Sequence, residues 1–339
     1  MRYLAVALVC LAGGMLPVKA AEVCPGNPDA IGTSRTITVD PAELPRIGRI
    51  QYRNTLPLED HEVVITFDDG PLPTYSNRIL DTLAENCVKA TYFLVGRMAQ
   101  AYPATVRRIF NEGHVIGTHS LSHPFTFHAM GEEQVAREVN GGIARVKAAL
   151  GNPNAVAPFF RIPGLSRSST VENYLAARSV AVWSADEVAD DWRRGVTAKD
   201  IVRLALQRIE ARDHRGVLLL HDIHPATAMA LPMLLKELKE RGYKIVQAVP
   251  PGERPKALPP RPDTMVAQTS QGWPRVLEDS AAAAKEDTAK PARHRKHASN
   301  KDRDETLVAK LAKKKSKPQT AEKAEATETT ERGFFSFLQ

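Results

Sequence analysis

Three short segments of the sequence carry acidic and imidazole side chains in patterns that could bind a cation and move protons. Asp68 and Asp69 are adjacent and precede a glycine, His119 and His123 are four residues apart, and His221 follows a run of leucines. Adjacent carboxylates repel each other, so one normally holds a cation while the other acts as a base. Histidines at i and i+4 face the same way on one helical turn and can chelate one ion. With one aspartate they form a set that leaves positions for water and substrate.

These patterns also have structural interpretations. Asp-Asp-Gly is an ordinary turn sequence, and His114 and His128 show that the region around the histidine pair is histidine-rich. A third histidine, His221, lies at the end of an apolar strand and could protonate a leaving group. The combination of the acidic pair, the histidine pair and His221 favours a catalytic site over a set of unrelated turns. We interpret the remaining polar residues nearby as surface or supporting residues, namely His214, Asp222 and His224.

The elements that would position these residues alternate along the chain. Strands are predicted at 36–39, 63–67, 90–95, 114–117, 159–160, 180–183, 217–220 and 244–246, and helices at 76–86, 102–112, 132–150, 171–177, 197–212 and 227–241. Such a series predicts an α/β fold, either a barrel or a doubly wound sheet. In a barrel, active sites lie at the carboxyl ends of the strands. No glycine-rich phosphate fingerprint follows the first strand of this series, which disfavours nucleotide binding.

The order of the motifs resembles the polysaccharide deacetylases of the NodB-homology type, carbohydrate esterase family four. Residues 66–70 read Thr-Phe-Asp-Asp-Gly, residues 119–123 read His-Ser-Leu-Ser-His, and the resemblance covers about residues 62–249. It implies a distorted (β/α) barrel. It also implies metal-dependent removal of N-acetyl groups from N-acetylglucosamine-containing glycans such as chitooligosaccharides or peptidoglycan.

The resemblance implies roles for the matching residues. Asp69, His119 and His123 would hold one divalent metal ion, expected to be zinc, with cobalt or another divalent ion as alternatives. Asp68 would be the base that takes a proton from water, and His221 the acid that protonates the departing amine.

Supporting roles follow from the same resemblance. Arg161 would pair with Asp68, and Asp191 with His221. The acidic run 186–191 leaves Asp190 as an alternative, although adjacency to Trp192 favours Asp191. The small pocket for the acetyl methyl would be lined by Pro163, Trp192 and Leu219.

One motif departs from the family pattern. Residues 161–165 read Arg-Ile-Pro-Gly-Leu, one residue short of the family's Arg-x-Pro-aromatic-Gly and without its aromatic residue. In the family, a backbone N–H of that loop normally helps to hold the oxyanion. Because the loop differs here, the sequence does not identify which backbone N–H would serve as the oxyanion donor in this chain.

Composition divides the chain of 339 residues into four parts. Residues 1–20 are typical of a secretory signal peptide, with a retained N-terminal anchor as the alternative. A proline-rich extension spans 21–61, the catalytic domain 62–249, and a Pro, Lys, Glu and Ala-rich tail 250–339, expected to be disordered because it contains little apolar surface. Export predicts a periplasmic or extracellular protein, in which Cys24 and Cys87 would form a disulfide.

The formal net charge of +7 and the isoelectric point near 9.3 raise the question of a polyanionic partner. Export and the concentration of basic residues in the tail disfavour nucleic acid. We expect an N-acetylated glycan as substrate, with an anionic envelope surface as a further partner of the tail. Two other functions stay open, an O-acetyl esterase on a xylan-like polysaccharide and a catalytically silent glycan-binding module.

Overall fold

The computed structural model describes residues 24–257. The predicted signal peptide and nearly all of the predicted tail, in 1–23 and 258–339, lie outside the described residues. Within 24–257, no helix combines the length and the apolar character needed to cross a membrane.

Strands and helices alternate through the described chain, as the sequence predicts. The strands are β1 (Thr33–Thr38), β2 (Arg46–Ile47), β3 (Glu62–Asp68), β4 (Thr91–Leu94), β5 (Val115–Thr118), β6 (Phe159–Arg161), β7 (Ala181–Trp183), β8 (Glu187–Val188), β9 (Gly216–His221) and β10 (Lys244–Val249). The helices are α1 (Pro73–Glu85), α2 (Gly96–Ala101), α3 (Pro103–Asn111), α4 (Glu132–Leu150), α5 (Ser169–Ala176), α6 (Ala198–Ala211) and α7 (Pro225–Glu240). Short 3₁₀ turns lie at Phe127–Ala129, Pro153–Ala155 and Pro163–Leu165.

The strands form one parallel sheet. Their order is β1-β10-β3-β4-β5-β6-β7-β2, and β9 joins on β3 and carries β8 on its other edge. Among the described residues no hydrogen-bonded ladder joins β7 to β8, so the ring of strands stays open there. This arrangement confirms the predicted α/β fold of the distorted (β/α) barrel type.

The two faces of β3 show how the sheet is buried. Val63, Ile65 and Phe67 pack into a cluster shared with the surrounding helices, whereas Val64 packs into a cluster formed largely by other strands. All seven residues of β3 are buried. Burial along the whole strand explains why the sequence of β3 is almost continuously apolar from Val63 to Phe67, as expected for a parallel strand covered on both faces.

The register between β3 and β9 aligns residues that the sequence singles out. Asp68 lies opposite His221, the last pair of this ladder. His119 directly follows β5, and Arg161 is the last residue of β6. The carboxyl ends of four strands, β9, β3, β5 and β6, therefore lie at the same edge of the sheet, where a barrel places its site.

The N-terminal extension is attached to this sheet. β1 pairs in parallel with β10, and Arg35 forms an ion pair with Glu62 at 2.6 Å. The predicted disulfide between Cys24 and Cys87 is present. The segment before residue 62 therefore adds a strand at each end of the strand order, β1 beside β10 and β2 beside β7, and is tied covalently to the domain.

Three short elements were not predicted from the sequence, namely α2, β2 and β8. Each has six residues or fewer, which is too short for a periodic pattern. The predicted start of α6 is confirmed, because Thr197 and Asp200 form a reciprocal capping box.

Candidate active site

The two adjacent carboxylates face the same mouth because the chain turns sharply after β3. Asp68 is buried at the end of the strand, and Asp69 adopts a left-handed backbone with φ of 75°. A Cβ on Gly70 would lie 2.1 Å from the Asp222 carboxylate, so only glycine fits there. The Asp-Asp-Gly sequence thus forms a turn and at the same time places both carboxylates at the mouth of the candidate site.

The histidine pair lies in a loop, so the predicted helical turn is wrong. Ser120 and His123 adopt left-handed backbone conformations with φ of 67° and 57°, which no α-helix allows. The hydroxyl of Ser120 accepts a hydrogen bond from the His123 N–H at 2.9 Å. The loop still brings the rings together, with centroids 4.9 Å apart.

Helix α4 fixes the shape of this loop. The Glu138 carboxylate accepts hydrogen bonds from the backbone N–H groups of Leu121 and Ser122 at 3.1 and 2.9 Å, and from the Ser122 hydroxyl at 2.7 Å. A Cβ on Gly142 would lie 2.6 Å from the Ser120 backbone, so this glycine permits the helix to approach the loop. Sequence reasoning missed both residues. The feature of the sequence that could have identified this contact is the glycine pair 141–142 inside a long helix, because glycine destabilises a helix and is expected there only where close packing requires it.

Asp69, His119 and His123 form a set of ligand atoms that fits a metal ion. Their ligand atoms all lie within 4.8 Å of one another. Nε2 of His119 and Nε2 of His123 lie 3.4 and 3.2 Å from Oδ1 of Asp69. That oxygen is buried and accepts no hydrogen bond.

The tautomer of His119 supports the same conclusion. Its Nδ1 lies 2.7 Å from the backbone carbonyl of Arg161, which can only accept, so Nδ1 carries the proton. The lone pair of Nε2 therefore faces the Asp69 carboxylate. Burial and the neighbouring His119 lower the pKa of His123, which keeps that ring neutral as well. Lone pairs that converge in this way repel one another unless a cation lies among them.

A buried ion pair positions Asp68. The Arg161 side chain is fully buried, and its Nη1 donates to Asp68 Oδ1 at 2.6 Å and to Thr66 Oγ1 at 2.8 Å. Its Nη2 donates to the Ser184 carbonyl at 2.8 Å, and the guanidinium lies 4.3 Å from the centroid of the Phe93 ring. These contacts satisfy one carboxylate oxygen of Asp68 and leave Oδ2 facing the site.

A second pair positions His221. Asp191 accepts hydrogen bonds from Nδ1 of His221 at 2.8 Å, from its backbone N–H at 2.7 Å, and from the Thr227 hydroxyl at 2.7 Å. Burial lowers the pKa of His221, but the charge and hydrogen bond of Asp191 outweigh it, and the pKa rises to about 10. Asp190 points elsewhere and pairs with Arg208 at 2.9 Å. The structure thus places Asp191, and not Asp190, against the histidine.

The residues predicted to line the acetyl pocket lie around the same mouth. The Trp192 ring contacts His221 edge to face, with centroids 5.4 Å apart. Leu219 shares a face of β9 with His221, because side chains two apart in a strand point the same way. Pro163 is buried at the start of the turn after β6.

Asp222 is a fully buried supporting residue. Its carboxylate accepts a hydrogen bond from the Ser76 hydroxyl, which in turn accepts one from the Leu72 N–H at 2.7 Å. Burial raises the pKa of Asp222 to about 7. This network ties the loop after β3 to the end of β9.

Five of the ten non-glycine residues with left-handed backbone within 24–257 lie around this mouth. Besides Asp69, Ser120 and His123, left-handed conformations occur at Leu165 and Asp190, with φ of 53° and 55°. Each such residue costs about 1–3 kcal/mol and persists only where its surroundings enforce it. A carboxylate, an imidazole and a set of three potential metal ligands held in this way can together support hydrolysis of an amide or an ester.

Comparisons with known proteins agree with this geometry. The sequence pattern of the polysaccharide deacetylase family matches residues 56–183. A peptidoglycan-N-acetylglucosamine deacetylase of Bacillus cereus is 33% identical over 187 residues, which cover 53% of this chain and 66% of that protein. A chitooligosaccharide deacetylase of Sinorhizobium fredii is 31% identical over 221 residues, which cover 60% of this chain and 98% of that protein.

Among solved structures, the peptidoglycan deacetylase Bd3279 of Bdellovibrio bacteriovorus is 31% identical, with a TM-score of 0.57 over 64% of this chain and 59% of that one. The chain spans only 37% of the length of the Listeria monocytogenes relative PgdA. The match to nearly the full length of the Sinorhizobium protein, together with the family pattern, decides the assignment. This chain belongs to the polysaccharide deacetylase family, the NodB-homology group of carbohydrate esterase family four.

Proposed function

We propose that this protein hydrolyses N-acetyl groups of N-acetylglucosamine-containing glycans, with peptidoglycan or chitooligosaccharides as substrates. The observation that carries the proposal is the convergence of two buried pairs, Arg161 with Asp68 and Asp191 with His221, on the carboxylate of Asp69. The names of the relatives support the substrate class, because they include peptidoglycan and chitooligosaccharide deacetylases.

We propose that Asp69, His119 and His123 hold one divalent ion, with zinc the first choice for a two-histidine, one-carboxylate set. Such an ion polarises the acetyl carbonyl and lowers the pKa of water toward about 7. The residues around it determine where protons go.

Asp68 is the proposed base. Arg161 occupies Oδ1, so the proton of the attacking water goes to Oδ2. The pairing holds this oxygen in one place and keeps the carboxylate from rotating away from the site. A base held within hydrogen-bond reach of the nucleophile contributes about 10²–10⁴-fold to the rate.

His221 is the proposed acid. Its Nδ1–H donates to Asp191, so Nε2 is the atom that delivers a proton to the departing amine nitrogen. An amine is a poor leaving group until it is protonated, and the raised pKa of His221, about 10, keeps the ring charged at neutral pH. The side chain is 13% exposed, so His221 lies at the border between the protein interior and solvent.

The shortened turn after β6 narrows the choice of oxyanion donor. The N–H groups of Leu165, Ser166 and Arg167 donate to carbonyls inside the turn, and Pro163 has none. We propose the N–H of Gly164 as the donor. Pro163, Trp192 and Leu219 are the proposed lining of the acetyl pocket.

Acetate release from chitooligosaccharides and from purified peptidoglycan, after chelation and then zinc or cobalt addition, tests the reaction. Release that disappears with chelator and returns with metal supports the proposal. Asp68→Asn should abolish release, whereas the matched variant Asp190→Asn, whose carboxylate pairs with Arg208, should retain it. Release from acetylated xylan alone would identify an O-acetyl esterase. Glycan binding without any release would identify a silent binding module.

We further propose that the protein acts outside the cytoplasm, in the periplasm or beyond the cell. The disulfide between Cys24 and Cys87 supports an oxidising compartment. The proposed division of the chain keeps 62–249 as the catalytic domain, with the basic tail as a contact for anionic envelope polymers. Fractionation of cells that express the full chain tests the location.

A further inference from the structure

The most exposed large apolar side chain among the described residues lies beside the proposed site. Phe125 is 71% exposed, against 51% for Met229 and 40% for Ile50. A single exposed apolar residue needs no explanation in itself. The position of Phe125 is what matters, because it follows His123 by two residues.

The loop that carries the metal-binding histidines directs one phenyl ring inward and another outward. Phe127 is fully buried and packs against Phe160. The Phe125 ring instead contacts His123 edge to face, with centroids 5.0 Å apart and planes at 82°. A Cβ on Gly164 would lie 3.6 Å from Phe125 Cδ1, so the ring lies against the turn that carries the proposed oxyanion donor.

Both segments under the ring are fixed by hydrogen bonds. Glu138 holds the backbone at Leu121 and Ser122, and the ring of His128 hydrogen bonds with the Ser166 hydroxyl at 2.5 Å. These contacts join the loop after β5 to the turn after β6. Phe125 is therefore presented to solvent from a fixed base.

The chemistry of the ring suits a sugar. A pyranose has an apolar C–H face and polar edges, and an aromatic ring contacts that face without demanding a particular hydroxyl pattern. Trp192 lies on the other side of the site, against His221, whose Nε2 is 4.0 Å from Asp69 Oδ2. Phe125 and Trp192 thus flank the Asp69 carboxylate through different histidines.

We propose that Phe125 stacks on a pyranose ring of the N-acetylated glycan, next to the position where the acetyl group is removed. This inference rests on the proposed function and assigns a substrate-binding residue that acts on affinity for the polymer. It predicts a preference for oligomeric over very small acetylated substrates.

Kinetics on the metal-loaded enzyme test the inference. Phe125→Ala should raise KM for chitopentaose about tenfold, since burial of one aromatic ring is worth roughly that factor, and should leave kcat within about twofold. Phe125→Trp should restore KM. Hydrolysis of ethyl acetate, which has no sugar ring, should be unchanged. Met233→Ala, which truncates an exposed residue in the groove between α6 and α7, is the matched control.

A binding measurement separates this inference from the proposed reaction. Calorimetric titration of Asp68→Asn with chitopentaose, and with peptidoglycan strands stripped of peptide, should show about tenfold weaker binding when Phe125→Ala is added. A difference seen with one glycan and not the other identifies the source of the sugar.

Equal affinities with and without the ring for both glycans would overturn the inference. So would a parallel loss of ethyl acetate hydrolysis, because the ring would then only support His123. Absence of turnover in the wild type would refute the proposed function while the titration still decides the role of Phe125.

Discussion

Replacement of Asp191 by asparagine removes one charge from the site and keeps the size of the side chain. Asparagine has a single carbonyl oxygen, whereas Asp191 accepts from the Nδ1 and the backbone N–H of His221 and from Thr227 through two oxygens. The variant therefore changes the charge next to His221 and weakens its orientation. If His221 is the acid, the pH dependence of the reaction must respond.

The structure sets the size of the effect. A pKa of about 10 for His221, against 6.5 for ordinary histidine, corresponds to about 5 kcal/mol in favour of the protonated ring. Coulomb's law across the 2.8 Å between the two side chains gives about 6 kcal/mol at an effective dielectric of about 20, so Asp191 is the main charge that offsets burial, and Asp69 and Asp68 add to the rise. Without the charge of Asp191, only Asp69 and Asp68 oppose the effect of burial, and the pKa of His221 falls.

The assay is the pH profile of kcat/KM for chitopentaose. An acid works only while protonated, so activity is present below its pKa and disappears as pH rises through it. In Asp191→Asn the alkaline limb should move down by about two pH units or more, which corresponds to a loss of about a hundredfold well above the new pKa. Near pH 6 the loss should be much smaller.

The matched control is Asp190→Asn, which removes the neighbouring carboxylate, paired with Arg208 at 2.9 Å. Its profile should keep the wild-type alkaline limb. An alkaline limb that stays in place in Asp191→Asn, with activity reduced equally at every pH, would refute the reasoning, because Asp191 would then only orient the ring.

Three further results are expected. The double variant Cys24→Ser, Cys87→Ser should lose about 4 kcal/mol in the free energy of unfolding, since the bridge closes a loop of 63 residues, and urea denaturation measures it. Burial, with the charges of nearby basic residues, lowers the pKa of His114 to about 3, and its Nδ1 accepts from the Ala90 N–H at 3.1 Å. The unfolded chain therefore binds a proton that the folded chain does not, so stability should fall by up to about 1.4 kcal/mol per pH unit from pH 6.5 toward pH 3, and less steeply in His114→Asn. Gly142→Ala would place a Cβ 2.6 Å from the Ser120 backbone, so it should displace the histidine loop and reduce the zinc retained after dialysis, measured by elemental analysis.

The sequence was sufficient to predict the architecture and the residues that lie together at the candidate site. The strand ends that carry Asp68, Arg161 and His221 were visible because apolar runs end abruptly in polar residues. The convergence of these ends follows from parallel strands in one sheet, so no long-range contact had to be known. The disulfide followed from the parity of the cysteines after export.

Loop conformation could not be predicted in the same way. The spacing of His119 and His123 suits a helical turn, but Glu138 and Gly142, from a helix that begins well after the loop, impose left-handed backbone instead. The spacing of two histidines within a five-residue segment carries no information about a helix that packs against that segment. The orientation of Asp190 and Asp191 was likewise fixed by distant residues, Arg208 and His221.

The pairing of β1 with β10 has a consequence for the order in which the strands of the sheet can pair during folding. The hydroxyl of Ser34 donates to the Ile245 carbonyl, two residues separated by 211 positions. A ribosome or an export channel releases the chain from its N-terminus, so the first strand emerges long before its partner exists. Closing so large a loop is slow and entropically costly, and an unpaired strand edge invites association with other chains. The N-terminal edge of the sheet is therefore completed last, and a chain truncated before β10 would leave that strand without its partner.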